Sequence, residues 1–165
     1  MPLLWFATAF SCSAARRAIL QGYLAHRAAI HAAGLMEGFQ WIDGSFVEDI
    51  ETTESRDPAD IDVVTFYHAD AATAAAAFVH SPWLFPTDEA SADFIESQFS
   101  VDGYFEQLRV GASHLVRRCT YWHSLLSHRR DRVWKGHFQI DLDPRDDAAA
   151  AAVLNAASTA TGTTP

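Results

Sequence analysis

The chain has 165 residues, 49% of them apolar, and a formal net charge of −9 from 12 Lys+Arg against 21 Asp+Glu. That length suits a single domain with one core, and the acidic excess argues against a surface that grips long nucleic acid. No stretch is apolar for long enough to span a membrane. The lone pair Cys12 and Cys119 forms neither a disulfide framework nor a metal spacing, so a reducing cytoplasm is expected, with both as small core residues.

The opening run, MPLLWFATAFSCSAA, has the apolar character of a secretory leader, but Arg16 and Arg17 follow it, the reverse of a leader's order. Ser13 is placed to cap a helix over 14–33, with Ile19, Leu20, Tyr23, Leu24 and Ile30 near one side and Gly34 as its stop. GFQWID (38–43) reads as a buried strand, 50–59 as a polar loop and 60–67 as a β-branched, aromatic strand. Helices are expected over 71–79 and 89–98 on either side of the breaker SPWLFPTD, and a third strand over 99–108. Ser113 is placed to cap a helix to about Arg129, with Leu115, Cys119, Trp122 and Leu126 as its buried stripe. A fourth strand over 133–142 and an Ala-rich helix over 146–158 complete one domain, 1–158, with 159–165 as a disordered tail. Interspersed helices and strands put the chain in the α/β (α+β) class.

Asp60 and Asp62 open the second strand and, two residues apart, share a face. At roughly 6–7 Å and an effective dielectric near 20 they repel by about 2–3 kcal/mol. A hard divalent cation turns that repulsion into attraction. Upstream, Gly44-Ser45 follows the first strand. A glycine there lets backbone approach a phosphate, and the Ser hydroxyl and following N–H groups bond phosphate oxygens. Together the two motifs form a phosphate cradle and a pair of metal carboxylates, a set suited to phosphoryl or nucleotidyl transfer. The second D-x-D, Asp141 to Asp143, ends a strand before Pro144 and reads as a solvated turn.

Gly-Ser, a loop and then Asp-x-Asp on the next strand resembles the polymerase-β-like nucleotidyltransferase superfamily. The segments WIDGSFVEDIETTESRDPADIDVV, VDGYFEQL and LVRRCTYWHSLLSHRRDRVWKGHFQIDL look like a small bacterial branch of it. The Gly-Ser to Asp-x-Asp loop, 46–59, is long for that family. The resemblance implies a minimal nucleotidyltransferase fold, a mixed sheet of about four strands with helices on one face. It implies Mg²⁺ (or Mn²⁺) on Asp60, Asp62 and a third acid, and transfer of an NMP from an NTP such as ATP to a protein, RNA or small-molecule acceptor. Asp102 in VDGYFEQL is the expected third acid, with Glu106 and Asp141 in reserve; Gly44 and Ser45 would hold the triphosphate. A homodimer or partner protein would supply the acceptor surface. The alternative is a non-catalytic, antitoxin-like interaction module of a toxin–antitoxin or defence system.

Half the cations lie between Arg117 and Lys135: Arg117, Arg118, Arg129, Arg130, Arg132 and Lys135. Arg117, Tyr121, Ser124 and His128 fall on one helix face, suited to phosphates or an acidic partner. Lys135 and Arg117 are the expected nucleotide-binding cations. No HExxH, P-loop or G-x-G-x-x-G occurs.

Overall fold

The structure, a computed structural model, describes residues 1–160, the last four by backbone alone. The first element, α1 (Leu3–Phe10), buries Leu3, Phe6 and Ala7 on one side, so the leader-like run is part of the core. α2 (Ala14–Ala32) begins where the Ser13 side chain accepts from the Arg16 N–H. It ends at Gly34 (φ +87°), with Leu35 N–H bonded to Ile30 O and Gly34 N–H to His31 O, the paired bonds of a Schellman stop.

Four strands follow: β1 (Gly38–Asp43), β2 (Ile61–Tyr67), β3 (Val101–Gln107) and β4 (Phe138–Asp141). They form one mixed sheet in the order β3-β2-β1-β4; β2 and β3 are parallel and the other pairs antiparallel. The parallel pair needs a crossover, which carries α4 (Ala71–His80) and α5 (Glu89–Phe99). Asp70 caps α4, and Asp88 forms a capping box with Ser91 on α5.

Strand alternation sorts the sheet's faces. Ile42, Ile61, Val63, Val101 and Ile140 point into a core with Phe6, Leu20, Tyr23, Ile95 and Leu154, contributed by α1, α2, α5 and α7 (Asp147–Ala160). On the same face Gln40 ties Tyr23, Arg27 and Thr65 together, and the fully buried Arg27 reaches Asp147 at 2.8 Å. The other face shows Phe39, Trp41, Val64 and Phe66, and α6 (Ala112–Leu126) packs there through Trp122 and Leu126. Helices therefore cover both faces, one fully and one in part, where one covered face was expected. Trp41, Val64 and Phe66 make the second face apolar too, and it needs its own cover.

Local expectations are corrected in several places. Gly111, not Ser113, precedes α6 and caps nothing with a side chain. Leu115 and Cys119 on its stripe are only half-buried, and Cys12 is exposed. The loop over 50–59 contains a single turn, α3 (Ile50–Thr53), because Ile50 is buried. β4 starts at Phe138, not Val133, because 127–135 folds back on itself: Lys135 N–H bonds Ser127 O and Arg132 takes φ +67°. α7 runs through 159–160 of the expected tail; residues 161–165 lie outside the described residues. No described helix is long and apolar enough to cross a membrane.

Candidate active site

Sheet register gathers the acids. Asp43 ends β1 opposite Asp62, and Asp62 stands beside Asp102 in the parallel pair. Cross-strand neighbours share a face, so Asp43, Asp62 and Asp102 form a row across three strands, neighbours about 5 Å apart at Cβ. The row lies on the face that α6 only partly covers. Asp60 sits one residue ahead of β2. The nearby α5 adds Glu96, whose pKa is raised by burial and by Asp60, Asp102 and Asp93. Tyr104 Oη donates to Asp102 Oδ2 at 3.2 Å.

Crowding shows in the proton affinities. Burial, then Asp60, Asp102 and Asp43, push Asp62 up to about 7, with Lys135 opposing. Asp43 and Asp102 are also raised, each mainly by burial. Asp43 is only 3% exposed. Its Oδ2 faces Lys135 Nζ at 3.1 Å, while its Oδ1 is buried with no hydrogen-bond partner. The crowding is met in part by the Lys135 ammonium and by the proton that Asp62 retains.

Gly44 is required by its surroundings. It takes φ +84°, and a Cβ there would lie 1.7 Å from Asp62 Oδ2. The glycine makes room for the Asp62 carboxylate. Ser45 begins a single 3₁₀ turn through Val47, with Phe46 buried beneath it. The buried Arg16 braces this turn from below. It donates to Phe46 O and Glu48 O and pairs with Glu51 at 2.6 Å, holding the Glu51 carboxyl down at about 2.

Of the residues singled out in sequence, Gly44, Ser45, Asp60, Asp62, Asp102 and Lys135 come together. Arg117 does not join them; it is exposed on α6 and makes no ion pair among the described residues. Lys135 Nζ donates to Glu48 Oε1 (3.1 Å) and Gly44 O (3.4 Å) and forms an ion pair with Asp43 Oδ2 (3.1 Å). Glu106 lies four residues along β3 from Asp102, and its Oε1 accepts from Trp122 Nε1 (2.7 Å) and Arg118 Nε (2.6 Å). Asp141 pairs with Phe39 at the opposite end of β1 from Asp43. Half of the basic segment is paired within the fold, Arg118 by Glu106, Arg129 by Glu48 (3.0 Å) and Lys135 by Asp43 and Glu48, while Arg117, Arg130 and Arg132 carry no ion pair among the described residues.

Sequence reasoning missed Asp43, Glu48, Tyr104 and Arg16. Asp43 had a signal: it precedes Gly-Ser and alternates with Phe39 and Trp41, which fixes its face. Its neighbour Asp62 depends on register, which no single segment encodes.

Among the described residues no three His, Cys, Asp or Glu converge as a ready-made metal cage. Mg²⁺ does not need one, since it is commonly held by one or two carboxylates and completed by water and substrate oxygens.

A family model described as a family of unknown function (DUF6932) matches residues 3–141. The chain belongs to this family. The matched span runs from the first residue of α1 to the last of β4, so the whole acidic row lies inside the DUF6932 region and α7 lies beyond it. No curated protein and no solved structure matches the chain.

Proposed function

We propose that this DUF6932 protein is a divalent-cation-dependent nucleotidyltransferase that moves an NMP from an NTP to an acceptor hydroxyl. The observation that carries the proposal is the row itself, with Asp62 flanked in register by Asp43 and Asp102 and its carboxyl pushed up to about 7. The donor set fits a hard cation: Asp60, Asp62 and Asp102 offer carboxylate oxygens only, and beside them Asp43 Oδ1 is buried without a partner. Asp60, Asp62 and Asp102 would hold Mg²⁺ or Mn²⁺, which when bound neutralises phosphate charge at the reacting centre.

The chain's own residues do the rest. Asp62 would bind the cation as the carboxylate. Gly44 keeps the Asp62 carboxylate in place, and Arg16 fixes the turn that presents the Ser45 hydroxyl toward the phosphates. Asp102, oriented by Tyr104, accepts the acceptor's proton as the acceptor oxygen bonds to the α-phosphorus. The bond from that phosphorus to the β-phosphate bridging oxygen breaks, and pyrophosphate leaves with the electron pair.

The test is calorimetric titration of ATP, GTP, CTP and UTP with Mg²⁺ or Mn²⁺, beside Asp60→Asn/Asp62→Asn. Metal-dependent binding lost in the double variant is the expected result; binding that survives it sinks the proposal. One observation favours a second reading, a partner-binding module. Trp134 (74% exposed), Leu125 (55%) and Val133 (54%) cluster in sequence with the unpaired Arg130 and Arg132. Folded protein that binds no NTP would select it.

A further inference from the structure

Two exposed faces of opposite charge lie away from the acidic row. On the crossover, Phe78, Trp83 and Phe94 are each more than a third exposed, beside the acids Asp88, Glu89 and Asp93. On α6, Arg117, Tyr121 and Leu125 follow one another at four-residue steps along an exposed ridge, and the turn after the helix adds Arg130, Arg132 and Trp134. Among the described residues none of these three acids and none of these three arginines has an ion pair. Each face also carries a held aromatic ring. Trp83 stacks on Phe99 (5.9 Å between centroids) and meets Phe94 edge-on (6.1 Å). Tyr121 meets Trp122 edge-on (5.0 Å) and lies under the Arg118 guanidinium (5.1 Å). Rings fixed in this way offer contact area at little entropic cost, as interface anchors do.

The two faces cannot meet within one chain, because the sheet stands between them. α5 packs through Ile95 into the core on one side, and α6 packs through Trp122 and Leu126 on the other. Both helices nevertheless flank the edge strand β3. α5 leads into it through Ser100, and α6 reaches it where Arg118 and Trp122 bond Glu106. A two-fold axis alongside β3 turns the sheet over. It sets α5 of one copy beside α6 of the other and repeats the contact with the roles exchanged. Unpaired acid on one face and unpaired arginine on the other, each with exposed rings, make a second copy a charge-complementary partner.

We propose that the acidic, aromatic face of α5 and the crossover docks on the arginine-bearing face of α6 in a second copy of this chain, forming a two-fold dimer. The contact goes beyond nucleotidyl transfer and stands with or without an ion on the acidic row.

The experiment is sedimentation equilibrium of the full chain, with two charge reversals. Wild type is expected to sediment as a dimer of the 18.2 kDa chain at low salt, and its Kd to weaken at least about tenfold in about 0.5 M NaCl. Arg117→Glu/Arg130→Glu makes both faces acidic, and Glu89→Lys/Asp93→Lys makes both basic. Each variant, shown to be folded by circular dichroism, is expected to be a monomer alone. Mixed in equal amounts, the two are expected to form a heterodimer, since every face again meets its opposite charge. The wild-type measurement does not depend on either variant folding. A monomeric wild type, a dimer that survives either reversal, or folded variants that stay apart on mixing overturns the contact. A monomeric wild type that binds an oligoglutamate peptide or a short oligoribonucleotide through Arg117 and Arg130 also overturns it, and gives that face to an acidic protein or to nucleic acid.

Discussion

Asp62 sets the pH behaviour of the metal-free protein. Its carboxyl keeps a proton up to about 7 in the fold but releases it in the ordinary carboxylate range when unfolded. Between roughly pH 4 and 7 the folded state therefore binds more protons, and this group's contribution to stability falls as pH rises. The buried His26 works in the opposite direction: both ring nitrogens lack partners, and burial holds its pKa down at about 4. Its folded state binds fewer protons, so its contribution falls as pH drops from about 6.5 toward 4. The two overlap, so the variant isolates the effect. In chelator, Asp62→Asn is expected to melt higher than wild type at pH 8, with the gap closing toward pH 5. Thermal melts that show no gap at pH 8 contradict the crowding of the row. Gly44→Ala tests the same contact sterically. A Cβ 1.7 Å from Asp62 Oδ2, on a backbone at φ +84°, is expected to cost at least about 1–2 kcal/mol in urea unfolding and to displace the carboxylate.

Among the elements, the Gly44–Thr53 stretch depends on a helix that precedes it by thirty residues. Arg16 in α2 bonds two carbonyls and one carboxylate of that stretch, and Arg16→Met leaves all of them short of a donor. The expected cost is on the order of 3 kcal/mol, with nucleotide affinity falling further than stability alone explains. Differential melts with and without NTP separate the two. Local chemistry made much of this scale legible. Ser13 and Gly34 delimit α2, the apolar GFQWID run delimits β1, and Gly-Ser with Asp-x-Asp marked residues that the sheet register brings together. Arg16 was not legible, because its partners lie at 46–51 and nothing in AARRAIL distinguishes the buried arginine from the neighbouring Arg17. β4 was over-extended for a similar reason. Val133 and Trp134 have strand character, but Trp134 pairs only as an isolated bridge to His128, and the local turn ends the strand early.

For the whole molecule, the site is a product of topology. No two of the three row acids come from the same strand, and Asp62 and Asp102 meet only when the parallel crossover of 68–100 has closed. Composition gave a net charge and no hint that the acids would share one strand end; register did that. A ligand that binds only this assembled end stabilises the fold by mass action. Mg²⁺ at pH 8 is accordingly expected to raise the melting temperature of wild type by several degrees and to leave Asp60→Asn/Asp62→Asn unmoved. Calorimetric scans with Mg²⁺ against chelator give the answer directly.

The parallel pairing of β2 with β3 also bears on how the chain reaches its fold. Closing a long crossover is slow in itself, because loop entropy is lost before any contact rewards it. Here that closure also drives Asp62 against Asp102, like charges approaching as water leaves. The final zipper of the sheet is thus an electrostatic barrier as well as an entropic one. Millimolar Mg²⁺ should lower it, raising the refolding arm of a stopped-flow chevron without changing its slope, while neutralising Asp62 should speed refolding with no ion present.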